Sequence, residues 1–354
     1  MRAWLYHVLM TGLVALALVG FFVMARRALD VLPTFLALGG TIGLLSLVGF
    51  VLAVVIDGPH FGAIRLMAWM IFLYLPVLLI GTAVIFAGRE PVFTCSGVAL
   101  SLILGLIAVD AFLIEPHWLE VTCVTLPSPK VDRAVRVVVI ADIQTDRPGA
   151  YERRALRTAM DQSPDLLLFA GDMIHLSRRS RAYEEEIAAL NDLMVEVGVA
   201  APLGTYAVRG NVDRAGAWTE VFAGVPVEIL DPTETRDLGP VTLTGLSLAD
   251  AFGTASDIPP APGDAFHIVM GHSPNFSLGS TAGDLLIAGH THGGQVQLPL
   301  IGPLVTLSQV PRRWASGVTS LDEGRTLVVS RGVGLERGRA PQFRFLCRPQ
   351  IVVI

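Results

Sequence analysis

The chain has 354 residues, 52% of them hydrophobic, and a formal net charge of −5. That length accommodates about two domains, and the apolar excess over a soluble average falls almost entirely before residue 115. The acidic balance weighs against a nucleic-acid partner, which would call for a basic stripe.

Four apolar runs come first: Val8–Ala25, Leu32–Ile56, Leu66–Ala87 and Val92–Ile114. The first three carry no charge, and the fourth carries only Asp110 near its end. Each is long enough to cross a hydrocarbon core, and their interiors are rich in Gly and other small residues, as in membrane helices. A cleaved signal peptide would be one shorter run. Helices buried in a soluble core would need an amphipathic partner surface, which does not accompany these runs. Residues 1–115 are therefore expected to form a four-helix transmembrane region. Asp110 sits about one turn from the end of its run, where interfacial solvation accounts for it more simply than an intramembrane function. Near the span ends, Arg26, Arg27 and Arg89 in the first and third loops slightly outweigh Arg2 and Arg65 on the opposite side, where Lys130 and Arg133 lie further from the membrane. By the positive-inside rule, the C-terminal domain is expected to face the periplasm or outside.

Residues 116–133 read as a linker, and an α/β domain is expected over 134–354. Strands are expected at Val135–Ala141, Asp165–Ala170, Thr205–Arg209, Val241–Leu246, His267–Gly271, Asp284–Ala288, Thr326–Ser330 and Gln350–Ile354. Helices are expected at Tyr151–Gln162 and Arg181–Val197. This order implies sheets flanked by helices. A disulfide between Cys123 and Cys347 is one possibility that spacing alone leaves open.

Polar residues follow these strands in a fixed order. Asp142 and Gln144 come after the first, Gly171-Asp172 after the second, and Gly210-Asn211-Val212-Asp213 after the third. Gly271-His272 and Gly289-His290-Thr291-His292 follow two later strands. Ligands bind beyond the carboxyl ends of strands in open α/β sheets, so these groups can converge. Their mixture of oxygen and imidazole donors suits Mn²⁺, Fe or Zn²⁺. Each motif alone is weak, but the ordered set is specific.

The set resembles the calcineurin-like metallophosphoesterases. Ala288-Gly289-His290-Thr291-His292-Gly293-Gly294-Gln295, Ser330-Arg331-Gly332-Val333-Gly334 and Arg348-Pro349-Gln350-Ile351 are similar to the bacterial membrane-associated phosphodiesterase branch. The resemblance spans about Val131 to Ile354 and implies a four-layer αββα sandwich. It implies two divalent metal ions, with Asp142, Gln144, Asp172 and His292 holding one. Asp172 would bridge to the second, held by Asn211, His272 and His290. Two positions depart from the family pattern. Gln144 stands where His is usual, and Val212 replaces a His that contacts the scissile phosphate.

The implied reaction is hydrolysis of a phosphodiester or pyrophosphate by a metal-bridging hydroxide, with Asp142, Asp172 and Asn211 at the centre. His175 is a candidate acid for the leaving group or an ordinary loop histidine. Arg209 and Arg214 either grip a phosphate or make surface salt bridges. Asp146 either hydrogen-bonds to a ligand or caps the helix after it. Arg178, Arg179 and Arg181 either attract anionic headgroups or start a solvated helix. The spans favour a lipid-linked, phosphate-containing substrate, with membrane lipids as neighbours. The alternative is a non-catalytic or weakly active membrane sensor or scaffold that retains the fold.

Overall fold

The computed structural model describes all residues except Met1, 27–30, His60, 177–181 and Pro262. Arg27 and the basic cluster Arg178, Arg179 and Arg181 thus lie outside the described residues. The chain divides into two compact units, one of Met1–Leu113 with Arg339–Gln342 and one of Ile114–Gly338 with Phe343–Ile354.

The first unit is helical: α1 (Arg2–Arg26), α2 (Val31–Asp57), α3 (Phe61–Trp69), α4 (Leu75–Phe86) and α5 (Pro91–Val109). A π turn at Met70–Tyr74 joins α3 to α4, and another at Asp110–Ile114 extends α5. Each π turn lies just before a proline, Pro76 or Pro116. Proline has no N–H and its ring crowds the carbonyl four residues back, so a widened turn there lets the helix continue. Four helices are long and apolar enough to cross a membrane, which makes this a membrane protein. The third begins at Phe61 rather than Leu66 and so takes in Arg65, which pairs with the buried Asp57 at 2.7 Å. Small residues bring α4 and α5 close: a Cβ on Gly97 would lie 3.1 Å from the Leu79 carbonyl oxygen. Ser101 Oγ also donates to the Pro76 carbonyl at 3.3 Å.

The second unit is a mixed α/β domain of two six-stranded sheets. Its strands are β1 (Glu120–Cys123), β2 (Val137–Ile140), β3 (Leu166–Phe169), β4 (Thr205–Ala207), β5 (Val227–Ile229) and β6 (Glu234–Asp237). The rest of these two sheets are β7 (Val241–Gly245), β8 (Phe266–Met270), β9 (Leu285–Ala288), β10 (Gly317–Ser320), β11 (Thr326–Val329) and β12 (Gln350–Val353), and two short two-stranded ladders lie outside them. The first sheet runs β1-β12-β2-β3-β4-β5, and the second β10-β11-β9-β8-β7-β6.

Side-chain alternation builds the layers. Val137, Val139, Leu166 and Leu168 meet Leu243, Ile268, Leu285 and Ile287 in the core between the sheets. Val138, Ile140, Leu167 and Phe169 point the other way, onto α6 (Ala150–Met160) and α7 (Tyr183–Val197). The outer face of the second sheet is covered more thinly, by α8 (Leu248–Phe252) and short turns carrying Phe276 and Trp314.

The stretch 116–133, expected as a linker, contains β1, which pairs in parallel with β12 from Glu120↔Gln350 to Cys123↔Val353. It is a half-exposed edge strand, so no apolar run announces it. Edge strands β5, β6 and β10 escaped expectation for the same reason. Cys123 and Cys347 are both free thiols, the first exposed and the second buried. The disulfide is therefore absent.

Candidate metal centre

Strands β2, β3 and β4 are neighbours in one sheet, and β8 and β9 in the other. Their carboxyl ends bring Asp142, Gln144, Asp172, Asn211, His272, His290 and His292 together. Five of these seven turn in the left-handed region: Asp142 (φ 50°), Gln144 (40°), Asp172 (59°), His290 (70°) and His292 (49°). Non-glycine residues rarely sit there, and clustered strain of this kind marks functional sites. Glycines make the close approaches possible. A Cβ on Gly210 would lie 2.0 Å from Asp172 Oδ1.

The residues are bound to one another. Both Asp142 oxygens accept from the His290 backbone N–H at 3.0 Å. Asp172 Oδ1 accepts from the Val212 backbone N–H at 2.9 Å. Val212 thus contributes its backbone amide to the site, while its aliphatic side chain offers no donor. Gln144 Nε2 donates to Asp172 Oδ2 at 3.0 Å. His272 Nδ1 lies 2.8 Å from the Ala170 carbonyl oxygen, while its Nε2 lies 3.3 Å from Asp172 Oδ2 and 3.0 Å from Asn211 Oδ1. The His290 ring stands 5.0 Å from that of His272 and 4.8 Å from Phe252. His175 is set apart: its Nδ1 lies 3.6 Å from Glu336 Oε1, one carboxylate removed from Gln144.

Burial and neighbouring charges shift these groups strongly. Burial raises Asp142 to about 8, although positive charge on His272 offsets part of the effect. For Asp172 burial also pushes upward, but the charge and hydrogen bond of His272 outweigh it and lower the carboxyl to about 2. His272 is the counterpart: burial opposes its charge, yet Asp172 and Asp142 raise it to about 10. Burial and the nearby His272 lower His290 to about 4. Burial and Arg344 hold His292 well below its ordinary value. Burial also lowers His175, so its ring is neutral near pH 7.

These residues fit divalent cations. Asp172, His272 and His290 each offer a donor atom within 4.8 Å of the others. Gln144 Oε1 and both ring nitrogens of His292 are buried without a hydrogen-bond partner, a costly state that a cation would relieve at the amide oxygen and at one imidazole nitrogen.

Three supporting residues were not legible as such. Asp213 lies inside the Gly-Asn-x-Asp motif, yet it serves the backbone. It accepts from Asp172 N–H at 2.9 Å, Met173 N–H at 2.7 Å and Gly210 N–H at 2.8 Å, clasping two site loops together. Glu336 stands two residues past Ser330-Arg331-Gly332-Val333-Gly334 and accepts from Gln144 Nε2 at 3.3 Å. Burial and Asp172 raise it to about 7. Arg344 is fully buried and donates to the carbonyls of Arg331, Gly332, Gly334 and Cys347. It thereby fixes the segment whose Gly334 N–H binds the Asp142 carbonyl at 2.7 Å. Asp146 does not cap α6, whose N-cap is Gly149. It pairs with Arg337 at 3.2 Å. Arg209 donates to the Asp213 carbonyl, and the Arg214 guanidinium lies 3.9 Å over the Tyr183 ring.

Residues 135–294 match the family model of the calcineurin-like phosphoesterases. Over those residues the α/β unit carries a calcineurin-like phosphoesterase domain, and the protein is a metal-dependent phosphoric ester hydrolase. It is 28% identical over 261 residues to the metallophosphoesterase YkuE of Bacillus subtilis, covering 68% of this chain and 86% of that one. It is 27% identical over 254 residues to the phosphodiesterase YaeI of Escherichia coli, covering 68% and 89%. It is 25% identical over 313 residues to the UDP-2,3-diacylglucosamine pyrophosphatase LpxG of Chlamydia muridarum, covering 68% and 90%.

Proposed function

We propose that this protein is a membrane-anchored, dinuclear phosphohydrolase acting on a phosphodiester or pyrophosphate bond of a lipid-linked substrate. The observation that carries this reading is the meeting of Asp172, His272 and His290 donors within 4.8 Å, beside the unpartnered Gln144 Oε1 and His292 nitrogens. Asp142, Gln144, Asp172 and His292 would hold one cation, and Asp172, Asn211, His272 and His290 the other. Bound cations would supply an activated water and neutralise phosphoryl oxygens. The chain's own residues set the rest. Asp213 and the Val212 amide orient Asp172, and the Ala170 carbonyl fixes the His272 tautomer so that Nε2 faces the site. Val212 has no proton to donate and His175 is neutral near pH 7, so the reading favours leaving groups already stabilised, as in a diester or anhydride. The pyrophosphatase relative, named for a diacylated substrate, supports the lipid-linked class.

The test is metal content and hydrolysis of bis-p-nitrophenyl phosphate by the purified full chain, wild type against Asp172→Ala. Two ions per chain, lost with activity in the variant, is the expected result. Full activity in a metal-free preparation would overturn the reading. We further propose that the catalytic domain faces outward, on the Arg excess at Arg26, Arg27 and Arg89. A periplasm-dependent reporter fused after Ile354 should be active. Activity of a cytoplasm-only reporter there would reverse the assignment and admit nucleotide-linked lipids as substrates.

A further inference from the structure

The chain leaves an apolar hairpin exposed beside the candidate metal centre. Gln297–Leu298 pairs with Gly302–Pro303 in a short antiparallel ladder. Its base is fixed: Gln297 N–H donates to the Phe345 carbonyl at 2.9 Å, and Arg312 donates to the Pro303 carbonyl at 3.3 Å. Its tip and descending arm present Leu300, Ile301, Leu304, Val305 and Leu307 to solvent, with Leu300 and Ile301 at 108% and 62% exposure. Single exposed leucines are ordinary, but a contiguous group marks a surface that something apolar covers. Leu300 also adopts φ 67°, where a glycine would sit without strain. A leucine there has no packing role inside the protein to offset that cost.

Charge and tethering identify the cover. From Gly293 to Leu321 there is no Asp or Glu, although the whole chain is acidic. The charges in that stretch are Arg312 and Arg313, both exposed. An apolar tip with cationic neighbours and no acids is the chemistry of a surface that enters an anionic bilayer interface. The last candidate span ends at His117, and β1 begins at Glu120, so the domain is covalently held close to a bilayer. The same arm reaches the site, since the Leu307 carbonyl oxygen lies 3.1 Å from His290 Nε2.

We infer that the hairpin around Leu300 inserts into the interfacial region of the membrane that holds the spans, placing the His290 side of the site at the lipid surface. This rests on the spans and the hairpin, not on the nature of the substrate. The test uses the full chain in nanodiscs containing phosphatidylglycerol. Cys95 and Cys123 are replaced by Ser, buried Cys347 is kept, and an environment-sensitive fluorophore is attached at Leu300→Cys. A label at Glu185→Cys on α7 serves as the aqueous control. Insertion predicts that the Leu300→Cys label loses most of its emission to nitroxide-bearing lipids and little to an aqueous quencher, with the reverse at Glu185→Cys. Adding Ile301→Asp and Leu304→Asp should return the first label to water. Aqueous quenching at Leu300→Cys equal to the control overturns the inference. So does protection from both quenchers, which would mean a protein surface covers the hairpin.

Discussion

Gln144 is the point where this site departs most usefully from an all-histidine pattern. An amide offers an oxygen on one side and a nitrogen on the other, and only the oxygen can ligate a cation. Here Nε2 donates to two carboxyl oxygens, Asp172 Oδ2 at 3.0 Å and Glu336 Oε2 at 3.3 Å. That arrangement leaves Oε1 turned inward and unpartnered. Glu336→Leu should therefore release the amide and weaken metal binding by about 10-fold or more, the usual cost of losing an orienting partner. Glu336→Gln, which can still accept, should weaken it less. In a Gln144→His background there is no amide to orient, so Glu336→Leu should cost little. Metal titrations of the four combinations test this, and equal losses in both backgrounds would show that Glu336 acts through the fold alone. The ligands also make binding depend on pH. In the metal-free site His272 (about 10) and Asp142 (about 8) both carry protons at pH 7, and a cation must displace them. Binding should release protons at pH 7, and affinity should rise with pH through about 8 and on toward 10. Calorimetry in buffers of different ionisation enthalpy reads the released protons directly, and a value of zero at pH 7 would contradict the assigned states.

At the scale of elements, the site depends on two loops closing on each other after β3 and β4. Asp213 accepts three backbone N–H groups from Gly210, Asp172 and Met173, while Asp172 accepts from Val212. Burial and Asp172 raise Asp213 to about 6. Asp213→Ala leaves those buried donors unpaired, at about 1–3 kcal/mol each before relaxation. Asp213→Asn keeps one accepting oxygen and should fall between wild type and alanine in thermal stability. Gly210→Ala should be worse for the site than for the fold, because its Cβ would collide with Asp172 Oδ1 at 2.0 Å. The expected result is loss of metal at near-normal helical content, measured by elemental analysis and circular dichroism. These loops also show what a sequence reveals. Central strands such as β2, β3 and β9 are fully buried on both faces and announce themselves as apolar runs, and the polar residues after them can be read in order. β1, β5 and β6 are half exposed at sheet edges and carry no such signal. Glu336 and Arg344 were illegible for another reason. Their partners lie about two hundred residues away, or are carbonyls that any residue supplies.

Across the whole molecule, the two units answer to different solvents and should respond differently to metal removal. The helical unit buries apolar side chains such as Leu66, Leu78 and Phe93 against one another, and none of the site residues lies in it. The α/β unit encloses Asp142, Asp172, His272 and His292 almost completely, so its stability depends on how those groups are paired. The sign at each group can be worked out for the metal-free protein. Asp142 is raised above its unfolded value of 3.8, so its contribution is full below that pH and is lost as pH rises through about 8. His290 is lowered below 6.5, so its contribution is present above that pH and lost as pH falls through about 4. Metal-free protein should therefore be least stable at the two ends of this range. Bound cations offset the ionised Asp142, so chelation should cost most on the alkaline side. For a cation at a hundred times its Kd the stabilisation is about 2.7 kcal/mol, or roughly 5–10 °C in a domain of this size. Thermal melts of the full chain in detergent, with and without chelator, should show that shift in the transition of the α/β unit and none in that of the helical unit. The gap should widen from pH 6 to pH 9, and in Asp172→Ala it should nearly vanish. A shift of both transitions together, unchanged with pH, would mean the chelator acts on the detergent-bound helices and not through this site.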